Sequence, residues 1–283
     1  MQLSLPSFTP DQLAPGRFVH RRQLREVLIT EARRLSDDYF ALGAQWPREH
    51  PFYSPHERRA DSALVAETIR QVTILLAHTM YGVPLDAAFL MPSLSAKTIA
   101  APAPWSEDEI MVQAQVVASG RAQEGPASMR VSVRIEGGGQ ILGEGIGHAR
   151  IIAPEAYARL RRNRPKRPIA VHARALQSRG RLLQWGRADR PVVVVDETDP
   201  VFFDHPLDHV PGMLLLEAVR EGVRNLMRPH EVDLTSFDLA FARVVEFEPE
   251  ITLEVDRCRQ GHFAVALRQD GITCVHGFAG AED

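Results

Sequence analysis

Apolar residues fill two long segments of the chain, residues 61–80 and 211–227, on nearly every side of a helical projection. Such a helix belongs inside a domain rather than on its surface. Asp61 and Ser62 can cap the first segment, and Pro211 suits a helix start because its missing N–H would be unpaired there. The pattern therefore predicts two long, buried helices.

Segments rich in Val and Ile follow each helix at the short spacing of antiparallel strands. The predicted strands are residues 110–118, 129–135 and 141–151 after the first helix, and residues 251–258, 263–269 and 272–278 after the second. Between neighbouring strands, Gly137-Gly138-Gly139 and Asp270-Gly271 favour tight hairpin turns. One long helix with an antiparallel sheet, occurring twice, predicts an α+β protein.

The two halves of the chain resemble each other. Residues 64–71, LVAETIRQ, match residues 214–221, LLLEAVRE, at an offset of 150. Residues 19–22, VHRR, resemble residues 171–174, VHAR, at an offset of 152. An offset that drifts by a few residues is typical of a duplicated domain with loop insertions.

The length of 283 residues fits two ordinary domains, which we assign to residues 1–165 and 166–283. A net charge of −3 argues against a broadly basic nucleic-acid surface. The two cysteines, Cys258 and Cys274, can form neither a disulfide framework nor a four-ligand zinc site, and we expect both to be buried thiols.

The first residues, MQLSLPSFTPDQL, have neither the basic nor the apolar region of a signal peptide. No apolar run reaches the roughly 18 residues that a membrane span needs. We therefore expect a cytoplasmic protein that contacts neither membrane nor nucleic acid.

Each predicted helix carries a glutamate and an arginine three residues apart, Glu67 with Arg70 and Glu217 with Arg220. Residues at this spacing share one face of a helix. Burying either charge without a partner is costly. Recurrence of the pair at the same place favours a functional role, although a duplicated fold could also preserve a structural ion pair.

The loop before the second helix, FDHPLDHVPG, contains His205, Asp208 and His209. Helix N-terminal N–H groups favour an anion or a developing oxyanion, and titratable groups beside them can bind substrate or move protons. A polar loop cap is the structural alternative. A metal site is disfavoured because the helical H-x-x-x-H arrangement is absent, and we predict no metal and no cofactor.

Two further motifs have plain structural explanations. Residues 143–147, GEGIG, lie in strand-like sequence with no helix after them, so they predict a strand that another backbone approaches closely rather than a phosphate loop. Six of the nine residues 159–167 are basic. This segment is either a solvated linker or a docking strip for an acidic partner.

Longer motifs indicate a family. They are His50-Pro51-Phe52-Tyr53, residues 64–71, Ala77-His78 and Tyr81-Gly82-Val83-Pro84 in the first half, and residues 204–220 in the second. Together they resemble the two repeats of the A-factor biosynthesis (AfsA-like) hotdog family over nearly the whole chain. The resemblance implies two tandem hotdog domains, each a long helix wrapped by an antiparallel sheet, paired as an intramolecular pseudo-dimer.

The resemblance also implies a reaction. The family transfers a β-ketoacyl group from an acyl carrier protein to a hydroxyl of dihydroxyacetone phosphate, on the way to a γ-butyrolactone-type bacterial signal. By motif match, Glu67, Glu217 and Arg220 are the implied catalytic positions, and Arg70 is the repeat counterpart of Arg220. The sequence departs from the family at Glu221, where the family pattern has Gln, and this puts the phosphorylated acceptor in doubt.

In the expected mechanism, burial raises the basicity of a helix glutamate, which takes the alcohol proton. Arg220, or Arg70, binds the acceptor phosphate. The alternatives are a thioesterase or dehydratase on the same fold and a non-catalytic acyl-carrier-binding protein. Dehydration is the weaker alternative because Phe203 holds the place of the dehydratase histidine. The segment 159–167 is expected to recruit the acidic carrier protein.

Overall fold

The computed structural model describes residues 12–47, 49–50, 52–53, 59–100, 110–120, 125–162, 164, 182–185, 190–230 and 232–282. The chain divides into two compact units, Met1–Met91 with Ala96–Leu160 and Pro92–Ser95 with Arg161–Asp283. The repeat segment 171–174 and residues 163 and 165–167 of the basic segment lie outside the described residues, as does Pro51.

The first unit places one long helix on an antiparallel sheet. Its elements are β1 (Ile29–Ser36), β2 (Tyr39–Ala44), α1 (Ser62–Met80), β3 (Ala88–Thr98), β4 (Ile110–Ser119), β5 (Ser128–Gly137), β6 (Gln140–Ile152) and the short α2 (Pro154–Leu160). The hydrogen-bonded strand order is β1-β2-β4-β5-β6-β3. The pairs from β1 to β6 in that order are antiparallel.

Helix α1 lies very close to strand β6, and glycines on the strand make this approach possible. A Cβ atom on Gly143 would lie 2.9 Å from Cγ2 of Val65, and one on Gly147 would lie 2.7 Å from Oγ1 of Thr73. The prediction that this glycine-rich segment is a closely approached strand is therefore confirmed.

The second unit repeats the arrangement. Its elements are β7 (Leu183–Trp185), β8 (Pro191–Val193), α3 (Gly212–Met227), β9 (Asp233–Phe241), β10 (Ile251–Arg259), β11 (His262–Gln269) and β12 (Ile272–Glu282). The strand order is β9-β12-β11-β10-β8-β7, and these pairs are antiparallel. Here the close contact uses a helix glycine, because a Cβ on Gly222 would lie 2.5 Å from Cδ2 of Leu253.

Both predicted helices and all six predicted strands are present, with bounds that differ from the prediction by a few residues at most. Both predicted hairpin turns use left-handed backbone. The φ values are 57° and 74° at Gly138 and Gly139, and 51° and 72° at Asp270 and Gly271. The expectation of two buried thiols is wrong for Cys258, which is exposed near the end of β10, whereas Cys274 is buried as predicted. Within the described residues, no helix is both long and apolar enough to cross a membrane.

Candidate active site

On helix α1, the carboxylate of Glu67 is held by donors on three sides. Arg70 donates from Nε to Oε2 and from Nη2 to Oε1, both at 2.8 Å. Arg21, from the segment before β1, donates to Oε1 through Nε at 3.1 Å and Nη2 at 2.9 Å. Gln71 adds a bond from Nε2 to Oε1 at 2.7 Å. Both oxygens of this buried carboxylate are therefore engaged.

These contacts decide the chemistry of Glu67. Burial raises its pKa, but the charges of Arg21 and Arg70 outweigh burial and bring the pKa down to about 2. The expected rise in basicity does not occur here, because a carboxylate of this acidity is a poor proton acceptor at neutral pH. Arg70 is also committed, since its Nη2 donates to the backbone oxygen of Val19 at 3.2 Å. The α1 pair thus ties the helix to the segment before β1.

On helix α3, the predicted partner pair is also formed. Glu217 and Arg220 are 4% and 1% exposed, and Nη1 of Arg220 donates to Oε2 of Glu217 at 2.8 Å. Nη1 of Arg224 lies 3.6 Å from Oε1 of Glu217, and its Nη2 donates to Asp233 at 3.0 Å. A buried carboxylate thus lies between two guanidinium groups of its own helix.

The two helices differ in the residue one turn after the glutamate, which is Gln71 on α1 and Glu221 on α3. Gln71 accepts a bond from the backbone N–H of Leu28 at 2.9 Å and donates its amide to Glu67. Glu221, its counterpart, accepts the equivalent bond from the N–H of Leu182 at 2.7 Å. A carboxylate has no hydrogen to donate, so position 221 adds negative charge one turn from Glu217 where position 71 supplies a donor.

The helix starts differ as well. The side chain of Asp61 caps α1 by accepting from the N–H groups of Ala63 at 2.8 Å and Leu64 at 3.3 Å. Pro211 holds the same position before α3, and its side chain contains no acceptor. The first turn of α3 therefore receives no side-chain cap from this position, although the backbone oxygen of Pro211 accepts from the N–H of Leu214 at 3.0 Å. The N–H groups before Leu214 are the ones suited to stabilise an oxyanion.

The loop before α3 contains two aspartate–histidine pairs. Nδ1 of His205 lies 2.5 Å from Asp204, and Nδ1 of His209 lies 2.6 Å from Asp208. Both aspartates are buried, whereas both imidazoles are partly exposed. Because a carboxylate only accepts hydrogen bonds, each Nδ1 carries a hydrogen, and Nε2 of each ring is the nitrogen that can accept a proton.

The arginines of the basic segment, residues 159–167, differ in exposure. Arg161 is withdrawn into ion pairs with Asp208 and Glu246, and its side chain is only 9% exposed. Arg162 and Arg164 are exposed. The expectation of a solvated linker or docking strip over residues 159–167 therefore does not hold for Arg161, because Asp208 and Glu246 bind its guanidinium.

The structure thus separates the predicted site residues into two groups. Glu67 and Arg70 lie in the first unit, and five of the candidates lie in the second: Glu217, Arg220, His205, Asp208 and His209. Across the described part of the chain, no three His, Cys, Asp or Glu side chains are placed to hold a metal ion.

The sequence prediction missed four polar partners of these groups, which are Arg21, Gln71, Arg161 and Arg224. Arg21 and Gln71 lie within repeated segments, but each is at a position where the two halves differ, with Ala173 opposite Arg21 and Glu221 opposite Gln71. Arg161 had no signal in the sequence, because a run of arginines does not show which one meets a carboxylate in the fold.

Comparison with known proteins agrees with the predicted family. The family model described as the A-factor biosynthesis hotdog domain (AfsA) matches residues 7–153 and 182–281. A protein named 2-oxo-3-(phosphooxy)propyl 3-oxoalkanoate synthase from Streptomyces virginiae is 34% identical over 83% of this chain and 84% of its own length. A protein of the same name from Streptomyces coelicolor is 30% identical over 83% of this chain and 79% of its own length.

Solved structures confirm the predicted hotdog fold. A 12:0-ACP thioesterase from Umbellularia californica covers 86% of this chain and 97% of its own with a TM-score of 0.53 at 13% identity. An acyl-ACP thioesterase from Bacteroides thetaiotaomicron covers 88% of this chain and 100% of its own with a TM-score of 0.53 at 10% identity. At such low identity, these two similarities establish the fold alone.

Proposed function

The chain belongs to the A-factor biosynthesis hotdog family, and on that premise we propose that it is an acyltransferase. It moves a β-ketoacyl group from an acyl carrier protein to a hydroxyl of dihydroxyacetone phosphate. The product is an ester on the way to a γ-butyrolactone-type signalling molecule. The carrier protein and the phosphorylated three-carbon acceptor are its two substrates.

The names of the relatives support this reaction. Each denotes the synthesis of an ester between a 3-oxoalkanoate and a 2-oxo-3-(phosphooxy)propyl group. Such an ester forms when a hydroxyl oxygen of the triose phosphate attacks an activated 3-oxoacyl carbon. The attack needs a proton acceptor for the hydroxyl, a donor for the oxyanion and a cation for the phosphate.

The second unit meets these needs better than the first, and this contrast carries the proposal. Helix α3 begins without the side-chain cap that Asp61 gives to α1, so its first-turn N–H groups suit the oxyanion. Two imidazoles with accepting Nε2 atoms lie in the loop that leads directly into α3. In the first unit, the carboxylate of Glu67 is saturated and strongly acidic.

The Glu217–Arg220 pair is the polar centre of the proposed site. Glu217 orients the attacking hydroxyl by accepting its hydrogen bond, while Arg220 balances the carboxylate and attracts the acceptor phosphate. Glu221, the residue after Arg220, accepts a hydrogen bond from the N–H of Leu182, and this bond restrains the position of its carboxylate.

The test combines a β-ketoacyl carrier protein with dihydroxyacetone phosphate and detects the ester by mass spectrometry. Formation of the phosphorylated ester supports the proposal. Release of the free β-keto acid would instead identify a thioesterase, an enoyl product a dehydratase, and bound but unconverted substrate a binding protein. Unphosphorylated dihydroxyacetone is the matched acceptor, and Arg220→Lys is expected to reduce the preference for the phosphorylated form.

A further inference from the structure

Arg161 joins two acidic side chains of the second unit. Its Nε donates to Oδ2 of Asp208 at 3.1 Å, and its Nη2 donates to the backbone oxygen of Asp208 at 2.6 Å. Toward Glu246, Nη1 and Nη2 donate to the two carboxylate oxygens at 2.6 and 2.8 Å. The hydrogen bond from Arg161 lowers the pKa of Glu246, so this partner is held in its charged form. Arg161 therefore clamps the backbone and the carboxylate of the loop before α3.

The two carboxylate oxygens of Asp208 have different partners. Oδ2 accepts from Arg161, and Oδ1 accepts from Nδ1 of His209 at 2.6 Å. With Oδ2 fixed, the carboxylate plane is fixed, and Oδ1 holds the imidazole in one orientation with hydrogen on Nδ1. The arrangement leaves Nε2 of His209 as an acceptor on a side chain that is 24% exposed.

We propose that His209 is the proton acceptor of the transfer reaction and that Asp208 and Arg161 are its positioning residues. This inference rests on the proposed function. The hydroxyl proton of the acceptor passes to Nε2 of His209 as the oxygen forms a bond to the thioester carbonyl carbon. The tetrahedral oxyanion then collapses, the carbon–sulfur bond breaks, and the imidazolium returns the proton to the departing thiolate of the carrier.

An imidazole suits this step better than either helix glutamate. Imidazole titrates near neutral pH, so it can both accept and return a proton there. Both carboxylate oxygens of Glu67 accept hydrogen bonds from guanidinium groups, and Glu217 likewise lies between two guanidinium groups, so both carboxylates are already engaged as acceptors. Glu217 therefore binds the hydroxyl, and His209 moves its proton.

His209 is favoured over His205, which forms the other pair in the same loop. The Arg161 clamp acts on Asp208, the partner of His209. His209 also stands only two residues before Pro211, where α3 begins, and it is the less exposed imidazole at 24% against 33%. Two acidic groups act on His209. Asp208 accepts a hydrogen bond from its Nδ1, and Glu246 is close enough to interact with the imidazole electrostatically.

The experiment compares His209→Gln with the matched variant His205→Gln. Thioester loss is followed in single turnovers with dihydroxyacetone phosphate and with water alone, because either oxygen nucleophile needs a proton acceptor. We expect His209→Gln to lower the rate at least about 100-fold and to abolish the acid limb of the pH–rate profile, with KM for the acceptor changed less than about threefold. His205→Gln should change the rate less than about threefold.

Arg161→Lys tests the positioning role, because lysine keeps the charge but lacks the planar fork. We expect a rate loss of roughly tenfold and a displaced acid limb, which a purely structural change would not produce. Should His209→Gln still fold but react at the wild-type rate, or should His205→Gln show the large loss instead, the proposal is overturned. Wild-type turnover with water but not with the acceptor would sink the proposed acyltransferase and leave the His209 comparison valid. No thioester loss with either nucleophile would overturn both.

Discussion

Helices α1 and α3 carry the same glutamate–arginine pair in surroundings that differ at three points. On α1, Arg21 and Gln71 complete the shell around Glu67, and Asp61 caps the helix. On α3, position 221 is a carboxylate, the N-cap is a proline, and two aspartate–histidine pairs precede the helix. The duplicated motif therefore keeps the ion pair on both helices, and we propose that the neighbouring residues give the two pairs different roles.

The difference supports our proposal that the two copies of the motif have separate roles, one in stability and one in chemistry. Glu67 joins α1 to the segment before β1 through Arg21 and Arg70, and it is charged at any pH where the protein is used. In the second unit, α3 begins without a side-chain cap and two aspartate–histidine pairs lie in the loop before it. We assign stability to the first pair and acyl transfer to the second.

The largest expected effect is on the stability of the first unit. Glu67→Gln leaves the buried guanidinium of Arg21 and the partly buried guanidinium of Arg70 without a countercharge, which costs roughly 3–5 kcal/mol of unfolding free energy. Urea denaturation of the variant measures the loss. The matched control is Glu31→Gln, since Glu31 forms an exposed pair with Arg33 and should change stability by less than about 1 kcal/mol. Equal losses in the two variants would remove the structural role of Glu67.

Acid titration sharpens the same point. Because the pKa of Glu67 falls from 4.5 to about 2 on folding, its ionisation stabilises the folded state above pH 4.5, and this contribution is lost as the pH falls toward 2. The drop corresponds to roughly 3 kcal/mol. Unfolding free energies measured at intervals across that range should fall steeply in the wild type and less steeply in Glu67→Gln. Parallel pH dependences would contradict the assignment.

Exchanging the residue types at positions 71 and 221 tests directly whether these positions make the two helices differ. Gln71→Glu removes the donor to Glu67 and places a like charge one turn away, at a cost of roughly 2 kcal/mol. Glu221→Gln keeps the bond to the N–H of Leu182, so stability should change by less than about 1 kcal/mol. Because this change removes a negative charge beside the proposed phosphate-binding Arg220, the transfer rate should stay within about threefold of the wild type or rise. Thermal melts and single-turnover rates measure both variants. A stability loss confined to Glu221→Gln would reverse the account.

The smallest expected effect concerns the carrier protein. Arg159, Arg162 and Arg164 are the exposed described arginines of the basic segment, and we propose that Arg162 and Arg164 attract the acidic carrier. Changing both to Ser should lower kcat/KM for the carrier-bound substrate a few-fold, most clearly at low salt. A short thioester without the carrier should react as before. The same loss with both substrates would leave this segment as a plain linker.

The sequence alone predicted those parts of the fold that follow from the spacing of apolar residues. Both buried helices and the hairpin strands follow from periodicity, and the repeat of residues 64–71 located both glutamate–arginine pairs. The acidity of Glu67 could not be predicted, because it depends on Arg21, which is 46 residues distant along the chain. The clamp from Arg161 to Glu246 joins residues 85 apart, and only folding brings them together.

The most direct test of the account is the single-turnover rate of ester formation per folded molecule in Glu67→Gln and Glu217→Gln. Both variants are measured below their melting temperatures with the same β-ketoacyl carrier protein and dihydroxyacetone phosphate. We predict that Glu67→Gln keeps the wild-type rate within about threefold and that Glu217→Gln loses about 100-fold. A large loss in Glu67→Gln with a normal rate in Glu217→Gln would contradict the assignment of chemistry to the second unit.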